Sequence, residues 1–355
     1  MAGSRRYDAV IVGASFAGLA LAQRLRGRRV LLVDRDPVGA NQTSACGAPL
    51  RLVEAVGAGD AVQQVHDAIW IHTTRGEYRW DIAHHPYCTF DYARFCELAL
   101  ARCDAQFVQA SARGLSGGAV HTSRGVFRAR LIADCTGWRA AVGRAVSPDL
   151  HLGQWQGFGI ETEVSCAFPA GLHFYFWPDV APGGYAWAFP CGGAVRFGVL
   201  SYRGETQLRP GLLAFLERFG VAPTTYHGGF LGSGAYDPVV GGIFVVGDGA
   251  GQCLPLTGEG IRTAIHAAWV VGDLFARVLD GAVSPEWAAY AYRRYVREQR
   301  RGVYFLAGAT LAALHLPRGL LNAVIGWFSG LHAQRIFLSH YLATFAPPSW
   351  LASSR

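Results

Sequence analysis

A glycine-rich turn near the N-terminus, between a predicted strand and a predicted helix, constrains the fold most. Residues 7–12 form a short β-branched run, residues 17–25 have helical apolar spacing, and residues 30–33 are again strand-like. Between the first strand and the helix, the stretch VGASFAG places Gly13, Ser15 and Gly18 on the positions of a G-x-G-x-x-G turn. The pattern predicts a βαβ unit.

Such a turn is typical of dinucleotide binding. Gly13 permits the tight turn, and Gly18 lets the helix pack closely on the strand. The helix start, with Ser15, Phe16 and Ala17, would face a pyrophosphate, which the positive end of a helix attracts. Ser15 stands where the pattern has its middle glycine, and its side chain takes some of the room that a phosphate needs.

An acidic residue follows at the expected distance. Asp34 ends the second strand, where a dinucleotide-binding unit places an acid for the ribose hydroxyls, and Arg35 comes next. The alternative is an ordinary glycine-rich turn without a ligand. With the strand, the helix and Asp34 in place, we favour a dinucleotide site.

A second glycine-rich junction lies some 230 residues further along the chain. The stretch GDGAGQCLPLTGEGI follows a buried strand-like run at 243–246 and leads into a predicted helix over about 260–279. A simple NAD-binding domain has no use for a second junction of this kind. We therefore expect a larger cofactor that contacts both helix starts.

This stretch resembles the C-terminal flavin signature of the geranylgeranyl reductase family, a group of FAD enzymes that share their scaffold with the aromatic hydroxylases. The resemblance implies that Asp248 holds the ribityl or pyrophosphate part of FAD and that Pro255 lies beside the isoalloxazine ring. It also implies that Gly258, Gly260 and Ile261 bring backbone N–H groups to the pyrimidine edge of the flavin. The positive end of the helix would favour the anionic reduced ring.

Other stretches match the family in part. ADCTGWRAAVGR resembles its Asp-Gly motif, with Asp134 and Gly137 separated by two residues, and the region of Arg94 resembles another flavin-contacting segment loosely. ACGAPL carries Cys46 where the family has a Cys-Gly after the second strand. The resemblance implies that these four residues lie at the cofactor. A buried small thiol is the alternative for Cys46, and a place on a helix surface is the alternative for Arg94.

The stretch PGGYAWAFP reproduces a P-x-x-Y-x-W-x-F-P pattern similar to that of the geranylgeranyl reductases in particular, although Cys191 stands where the family continues with lysine. Tyr185 and Trp187 alternate with alanines and so share one face of a strand. We expect Tyr185, Trp187 and Phe189 to line the substrate cavity, although a plain core strand has the same pattern. Cys46, Tyr185 and Trp187 are the candidate catalytic residues.

Composition excludes several classes of function. All 32 basic residues are arginine, which excludes lysine Schiff bases and lysine nucleophiles. The net charge of +7 suits anionic ligands, but arginines do not cluster enough to predict nucleic-acid binding. The eight cysteines stand singly, without a CxxC pair or zinc-like spacing, so we expect reduced thiols and no metal site.

The order of predicted elements indicates an α/β fold. We expect a discontinuous Rossmann-like FAD-binding domain over 1–64, 90–150 and 235–283. It would be interleaved with a substrate-binding domain on a mixed or antiparallel sheet over 65–89 and 151–234, where short strands are bounded by Pro and Gly. A C-terminal helical region would cover 284–355, with one helix over 285–300.

The last third of the chain contains two nearly uncharged stretches, 303–316 and 319–331, each shorter than the roughly 20 residues of a membrane-spanning helix. We expect helices that pack against a lipophilic cavity or lie at a membrane interface. No signal peptide is recognised, so a cytoplasmic protein, with peripheral membrane contact as a variant, is the expectation.

The resulting hypothesis is an FAD-dependent reductase of carbon–carbon double bonds in a geranylgeranyl or other polyprenyl substrate. NAD(P)H would bind transiently as electron donor, or a ferredoxin-like donor would replace it. The main alternative is an FAD-dependent monooxygenase or oxidative tailoring enzyme acting on an aromatic, polyketide or terpenoid compound. A non-enzymatic electron-transfer flavoprotein is a third reading. A halogenase would, by family analogy, need the lysine that this chain lacks.

Overall fold

The computed structural model describes residues 6–151 and 155–352. Eighteen strands lie within these residues: β1 Arg6–Val12, β2 Val30–Asp34, β3 Gly47–Pro49, β4 Val62–His66, β5 Ala68–Thr73, β6 Glu77–Asp81, β7 Tyr87–Phe90, β8 Gln106–Gln109, β9 Ala112–Ser116, β10 Ala119–Thr122, β11 Gly125–Asp134, β12 Trp155–Val164, β13 Leu172–Phe176, β14 Gly184–Pro190, β15 Val195–Ser201, β16 His227–Ser233, β17 Val239–Val240 and β18 Ile243–Val245.

The helices of the same residues are α1 Phe16–Arg24, α2 Leu50–Val56, α3 Tyr92–Ala101, α4 Ala141–Val146, α5 Arg209–Glu217, α6 Ile261–Leu279, α7 Pro285–His315, α8 Arg318–Phe328, α9 Leu331–Ala343 and α10 Ser349–Ala352.

The first sheet is built on the N-terminal βαβ unit. Its strand order is β17-β18-β11-β1-β2-β8, and the five strands from β18 to β8 are parallel to their neighbours. Strands β9 and β10 extend it as an antiparallel ribbon alongside β11. Strand β1 is buried along its length from Ala9 to Val12, as expected for a parallel strand covered on both faces.

The second sheet has seven strands in the order β16-β12-β15-β14-β13-β5-β6. Its neighbours are antiparallel except for β13 and β5, which run parallel, so the predicted mixed sheet is present. Two of its strands come from residues 68–81 and the other five from 155–233. This exchange between distant segments agrees with an interleaved arrangement, and the exact domain boundaries stay a prediction. A small third sheet has the order β3-β7-β4.

The C-terminal region is helical, and one helix is longer than predicted. The helix expected to end at Arg300 continues as α7 to His315. Its buried face continues through Val303, Leu306 and Thr310, so packing supports the helix beyond its charged part, and Pro317 follows its end. Among the described residues, no helix combines the length and apolarity needed to cross a membrane. The α/β fold class predicted from the sequence is confirmed.

Helix α6 contributes many side chains to the largest hydrophobic core. It packs against α1 and α7, and Leu274 and Phe275 on it are fully buried. Burying such side chains contributes about 1.5–3 kcal/mol each. Gly272 lets α1 approach closely, because a Cβ atom there would lie 2.5 Å from Arg24 Cβ.

The contact at Gly272 can be tested with a matched pair of helix glycines. Alanine raises helix propensity by about 1 kcal/mol at either position. We expect Gly308→Ala, where no atom lies within 4 Å of the added carbon, to leave stability unchanged or raised. Gly272→Ala should lower the free energy of unfolding by about 1–3 kcal/mol through overpacking. Equal effects of the two changes in urea denaturation would contradict the close contact.

Candidate active site

One cavity of about 1240 Å³ is lined by both large sheets and by the C-terminal helices. Typical small-molecule sites measure roughly 300–1,000 Å³, so this cavity has room for more than one small ligand. One end is lined by the loops that follow the strands of the first sheet. The other end is lined by apolar side chains of the second sheet and of α7 to α9.

The first helix start lies at the polar end, and its glycines are required by close contacts. Gly13 has φ +105°, and a Cβ there would lie 2.2 Å from the carbonyl oxygen of Cys135. A Cβ at Gly18 would lie 1.8 Å from the carbonyl oxygen of Gly13. Gly13 lines the cavity, whereas Gly18 packs α1 onto the turn. These are the positions that the sequence pattern assigned to the turn and to helix packing.

The serine in place of the middle glycine is explained by its backbone. Ser15 is extended, with φ −114°, so this position does not need glycine. Its hydroxyl accepts a hydrogen bond from the Tyr92 hydroxyl at 3.0 Å. Ser15, Phe16 and Ala17 line the cavity, and α1 has no acidic residue in its first turn and no side-chain cap. The start of α1 is therefore suited to an anionic group.

Asp34 and Arg35 lie beside this helix start and also line the cavity. The Asp34 carboxylate accepts hydrogen bonds from the backbone N–H groups of Ala14 at 2.7 Å and Asp36 at 3.0 Å. It thereby fixes the glycine-rich turn to the end of β2. Arg35 is half-exposed and pairs with Asp36 at 2.9 Å.

The second helix start lines the same cavity, although it lies more than 240 residues away in the chain. Gly258, Gly260 and Ile261 all contribute to the lining. Gly258 has φ +67°, and a Cβ there would lie 3.3 Å from the Tyr185 hydroxyl oxygen. Helix α6 begins after Gly260 with no side-chain cap and no acidic residue in its first turn. Two helix starts with positive ends thus meet around one space.

Asp248 lines the cavity close to the second helix start. Burial raises the pKa of its carboxyl group to about 7, although a hydrogen bond from the backbone of Gly232 acts in the opposite direction. A carboxyl group in this position is ready to accept hydrogen bonds from hydroxyl groups of a ligand. Pro255 lies nearby in the chain, but it is buried and is not among the residues that line the cavity.

Three other predicted cofactor residues have different surroundings. Gly137 lines the cavity. Asp134 lies beneath it, fully buried, and its carboxylate accepts backbone N–H groups of Thr136, Val142 and Gly143 at 2.8–3.0 Å. Asp134 therefore holds the loop that contains Gly137, and it does not line the cavity itself. Arg94 lies on the exposed face of α3 beside Glu97, away from the lining.

Cys46 has the properties of a buried structural thiol. Its neighbours Ala45 and Gly47 line the cavity, but Cys46 does not. The thiol is fully buried, its Sγ donates to the carbonyl oxygen of Ser44 at 3.3 Å, and burial raises its pKa well above the ordinary value. Its backbone φ of +52° is strained for a residue with a side chain. The structure thus gives no support to Cys46 as a catalytic group.

The aromatic strand β14 forms a wall of the apolar end. Tyr185, Trp187 and Phe189 all line the cavity. The Tyr185 hydroxyl donates to the carbonyl oxygen of Thr257 at 2.5 Å, and burial raises its pKa far above the ordinary value. Trp187 Nε1 donates to Glu161 Oε2 at 3.0 Å. The polar atoms of both rings are therefore bonded to protein partners.

The sequence did not single out several residues that complete the lining. Glu161 lies on β12, and Glu259 is held by Arg262 at 2.7 Å and by the Tyr87 hydroxyl at 3.0 Å. Small residues of α7 leave the apolar end open. They are Gly308, Ala309, Ala312 and Ala313. Their helical spacing of three and four residues was the available signal, but it does not reveal which surface they face.

Curated relatives of this chain are named as reductases of a geranylgeranyl lipid, in agreement with the family that the motifs resemble. The chain is 33% identical over 140 residues to digeranylgeranylglycerophospholipid reductase 2 of Methanothermobacter thermautotrophicus, covering 36% of the chain and 33% of that protein. Digeranylgeranylglycerophospholipid reductase 1 of the same organism is 26% identical over 345 residues, covering 82% of both. Two of the curated relatives, the first of them named above, are thus matched over only about a third of their own length. No protein-family model matches the chain.

Solved structures share the fold over nearly the whole chain. A geranylgeranyl bacteriochlorophyll reductase-like protein from Thermoplasma acidophilum superposes with a TM-score of 0.82 at 17% identity, covering 92% of each chain. A probable FAD-dependent monooxygenase from Pseudomonas aeruginosa has a TM-score of 0.72 at 16% identity, covering 91% of this chain and all of that one. At these identities the likeness establishes the fold. The names of the curated relatives confirm the resemblance to the geranylgeranyl reductase family.

The raised pKa of Asp248 predicts a pH-dependent stability cost in the protein without ligand. Between about pH 4 and pH 7 the unfolded chain loses this proton before the folded chain does, so stability falls as pH rises, and the cost is complete above about pH 7. Asp248→Asn removes the cost. We expect the melting temperature of the variant, relative to wild type, to be higher at about pH 8 than at about pH 5. A difference independent of pH would contradict the burial effect.

Proposed function

We propose that this protein is an FAD-dependent oxidoreductase that reduces carbon–carbon double bonds of an isoprenoid substrate. The observation that carries the proposal is one cavity with two unlike ends. Two glycine-rich helix starts line its polar end, and aromatic and aliphatic side chains line its apolar end. A phosphate-containing cofactor suits the first end, and a long hydrocarbon suits the second.

The residues present fit FAD. The starts of α1 and α6 direct backbone N–H groups and positive helix ends toward the cavity. At Gly13, only a residue without a Cβ fits, because a Cβ there would lie 2.2 Å from the carbonyl oxygen of Cys135. By the resemblance, Asp34 would bind the adenosine ribose and Asp248 the ribityl chain or pyrophosphate, with Gly258 to Ile261 at the flavin ring. FAD supplies the hydride chemistry, and the protein supplies binding, orientation and exclusion of water.

The apolar end suits a polyprenyl chain because an isolated alkene offers no polar group to bind. Positioning must therefore come from the shape of an apolar surface. The second sheet contributes aromatic side chains, and the C-terminal helices contribute small and aliphatic ones. The apolar lining of this end includes Ile69, Ile71, Leu172, Phe174, Phe176, Tyr185, Trp187, Phe189, Leu200, Leu316, Leu321, Val324, Ile325, Phe328 and Leu338.

The C-terminal helices also support peripheral contact with an anionic membrane as part of this proposal. Phe305 lines the cavity and is 58% exposed, and Trp327 on α8 is 69% exposed. The chain contains no Asp or Glu after Glu298. Exposed aromatic groups on a segment with no acidic residue after Glu298 suit a lipid interface from which a hydrophobic substrate enters. The electron donor is proposed to be NAD(P)H or a ferredoxin-like protein.

Cofactor binding can be tested with valine substitutions at two glycines that both have positive φ, +105° at Gly13 and +84° at Gly57. Gly13→Val introduces a side chain into the turn at the polar end, and we expect at least about a tenfold loss of bound FAD per protein. Gly57 also has a left-handed backbone, but it does not line the cavity, so Gly57→Val should retain FAD despite lower stability. Flavin released by heat from the folded fractions is the measurement. Full occupancy in Gly13→Val would contradict the site.

Substrate reduction can be tested anaerobically. The bound flavin is reduced with dithionite, and reoxidation by a geranylgeranyl compound is followed together with hydrogen uptake at its double bond. Reoxidation by dioxygen alone, with a hydroxylated product, would favour the monooxygenase alternative.

The apolar cavity predicts a dependence on chain length. Ala312→Phe places a ring in the cavity, so we expect a loss of about tenfold or more with a geranylgeranyl compound and a smaller loss with a geranyl compound. Leu311→Phe, on the exposed side of α7, is the control. Equal losses with both chain lengths in Ala312→Phe would contradict a slot that extends along α7.

A further inference from the structure

Glu161 lies in a row of residues that runs straight across four strands of the second sheet. Trp187 of β14 is paired with Gly198 of β15, Gly198 with Glu161 of β12, and Glu161 with His227 of β16. Residues directly opposite each other on antiparallel strands project to the same face of the sheet. The row therefore aligns an indole, a carboxylate and an imidazole on one surface.

The glycine in this row allows the indole to reach the carboxylate. A Cβ at Gly198 would lie 2.0 Å from the Trp187 ring, and one at Gly159 would lie 3.4 Å from it. The indole therefore crosses β15 in the space that Gly198 leaves, and its Nε1 donates to Glu161 Oε2 at 3.0 Å. Trp187, which lines the cavity, thus holds one oxygen of the Glu161 carboxylate.

The other oxygen of the carboxylate contacts a histidine that reaches solvent. Glu161 Oε1 lies 2.5 Å from His227 Nε2 and 3.5 Å from Gln42 Nε2. The Glu161 side chain is only 2% exposed, whereas that of His227 is 24% exposed. Glu161 lines the cavity, and His227 is not among the lining residues. The pair thus connects the interior of the cavity with the surface of the protein.

Three other groups that line the cavity, on Glu259, Asp34 and Tyr185, are bonded to protein partners. Glu259 is bound by the buried Arg262 guanidinium and by Tyr87, and Asp34 accepts two backbone N–H groups. The Tyr185 hydroxyl is bonded to Thr257, and burial raises its pKa. Glu161 combines a place in the lining with a contact to an imidazole that reaches solvent.

We propose that Glu161 and His227 deliver the proton that reduction of the substrate double bond consumes, an inference that rests on the proposed function. The π electron pair of the double bond takes the proton as the Glu161 O–H bond breaks, so that a C–H bond forms at one carbon. The hydride for the other carbon comes from the two-electron-reduced flavin. The imidazolium of His227 then returns a proton to the Glu161 carboxylate and takes another from water.

In this arrangement Glu161 is the catalytic acid, and His227 and Trp187 are positioning residues. The arrangement places the proton source inside an apolar cavity, where bulk water would have poor access. General acid catalysis of this kind contributes about 10²–10⁴-fold in rate.

The test uses the full chain reconstituted with FAD and reduced anaerobically with dithionite. Reoxidation by a geranylgeranyl compound consumes a proton on carbon, whereas reoxidation by ferricyanide does not. We expect E161Q to slow the alkene reaction by about 100-fold or more while FAD content and the ferricyanide reaction stay within about twofold of wild type. H227Q should slow the alkene reaction less than E161Q does. If E161Q does not fold, H227Q replaces it as the test variant. The exposed residues Glu217 and His85 supply the controls E217Q and H85Q.

A second measurement addresses the pair without any turnover. In protein labelled with ¹⁵N-histidine and free of cofactor, we expect a hydrogen-bonded Nε2–H signal of His227, identified by its loss in H227Q. It should shift in E161Q, because the amide group of glutamine replaces the carboxyl group as the partner of His227 Nε2. A His227 signal that is unchanged in E161Q would overturn the contact on which the proposal rests.

The outcomes separate the two proposals. A wild-type protein that binds FAD but never reduces the alkene overturns both the proposed function and the role of Glu161. An active wild type with an equally active E161Q overturns the role of Glu161 alone. A variant that loses FAD or the ferricyanide reaction to the same degree as the alkene reaction assigns Glu161 to structure and likewise overturns the proton-delivery role.

Discussion

The close approach of three chain segments at Gly13 is the constraint on which the cavity depends. The Gly13 N–H donates to the carbonyl oxygen of Val33 at 2.7 Å, and the Cys135 N–H donates to that of Val12 at 2.7 Å. The ends of β1, β2 and β11 are therefore fixed against one another. A side chain at Gly13 would separate them, since the Cys135 carbonyl oxygen occupies the space of its Cβ.

This junction brings the start of α1 to the edge of the first sheet, and the start of α6 reaches the same edge from β18. The carboxyl ends of parallel strands are where α/β folds bind ligands, because helix starts gather there. Here the second sheet and the C-terminal helices cover that edge and prolong the space with apolar side chains. The two ends of the cavity thus differ in polarity because different layers build them.

Several polar groups in the lining of the cavity are bonded to protein partners. Tyr185 donates to Thr257, Trp187 donates to Glu161, and Arg262 holds Glu259. Buried polar groups without partners would be costly. Their pairing leaves a surface on which a hydrocarbon chain can lie, and it leaves few groups able to exchange a proton. This is why the contact between Glu161 and His227 has consequences for the chemistry.

The local elements of the site could be predicted from the sequence because their signals are local. The strand and helix around Gly13, the junction at Gly258 and the alternation of Tyr185 with Trp187 depend on backbone conformation and on residue spacing. Side-chain placement could not be predicted in the same way. Cys46 and Asp134 lie in motifs of the right kind, yet the structure directs both side chains into the protein and away from the cavity.

What the sequence by itself determined is the βαβ unit, the two glycine-rich helix starts and the class of cofactor they suit, because each follows from residues within one short segment. Only the tertiary structure decided that both starts share one cavity, that α7 to α9 line its apolar end, and that His227 meets Glu161. The last contact depends on strand register between segments 66 residues apart. A shift of one residue would turn Glu161 to the other face of the sheet, and nothing in the local sequence specifies that pairing.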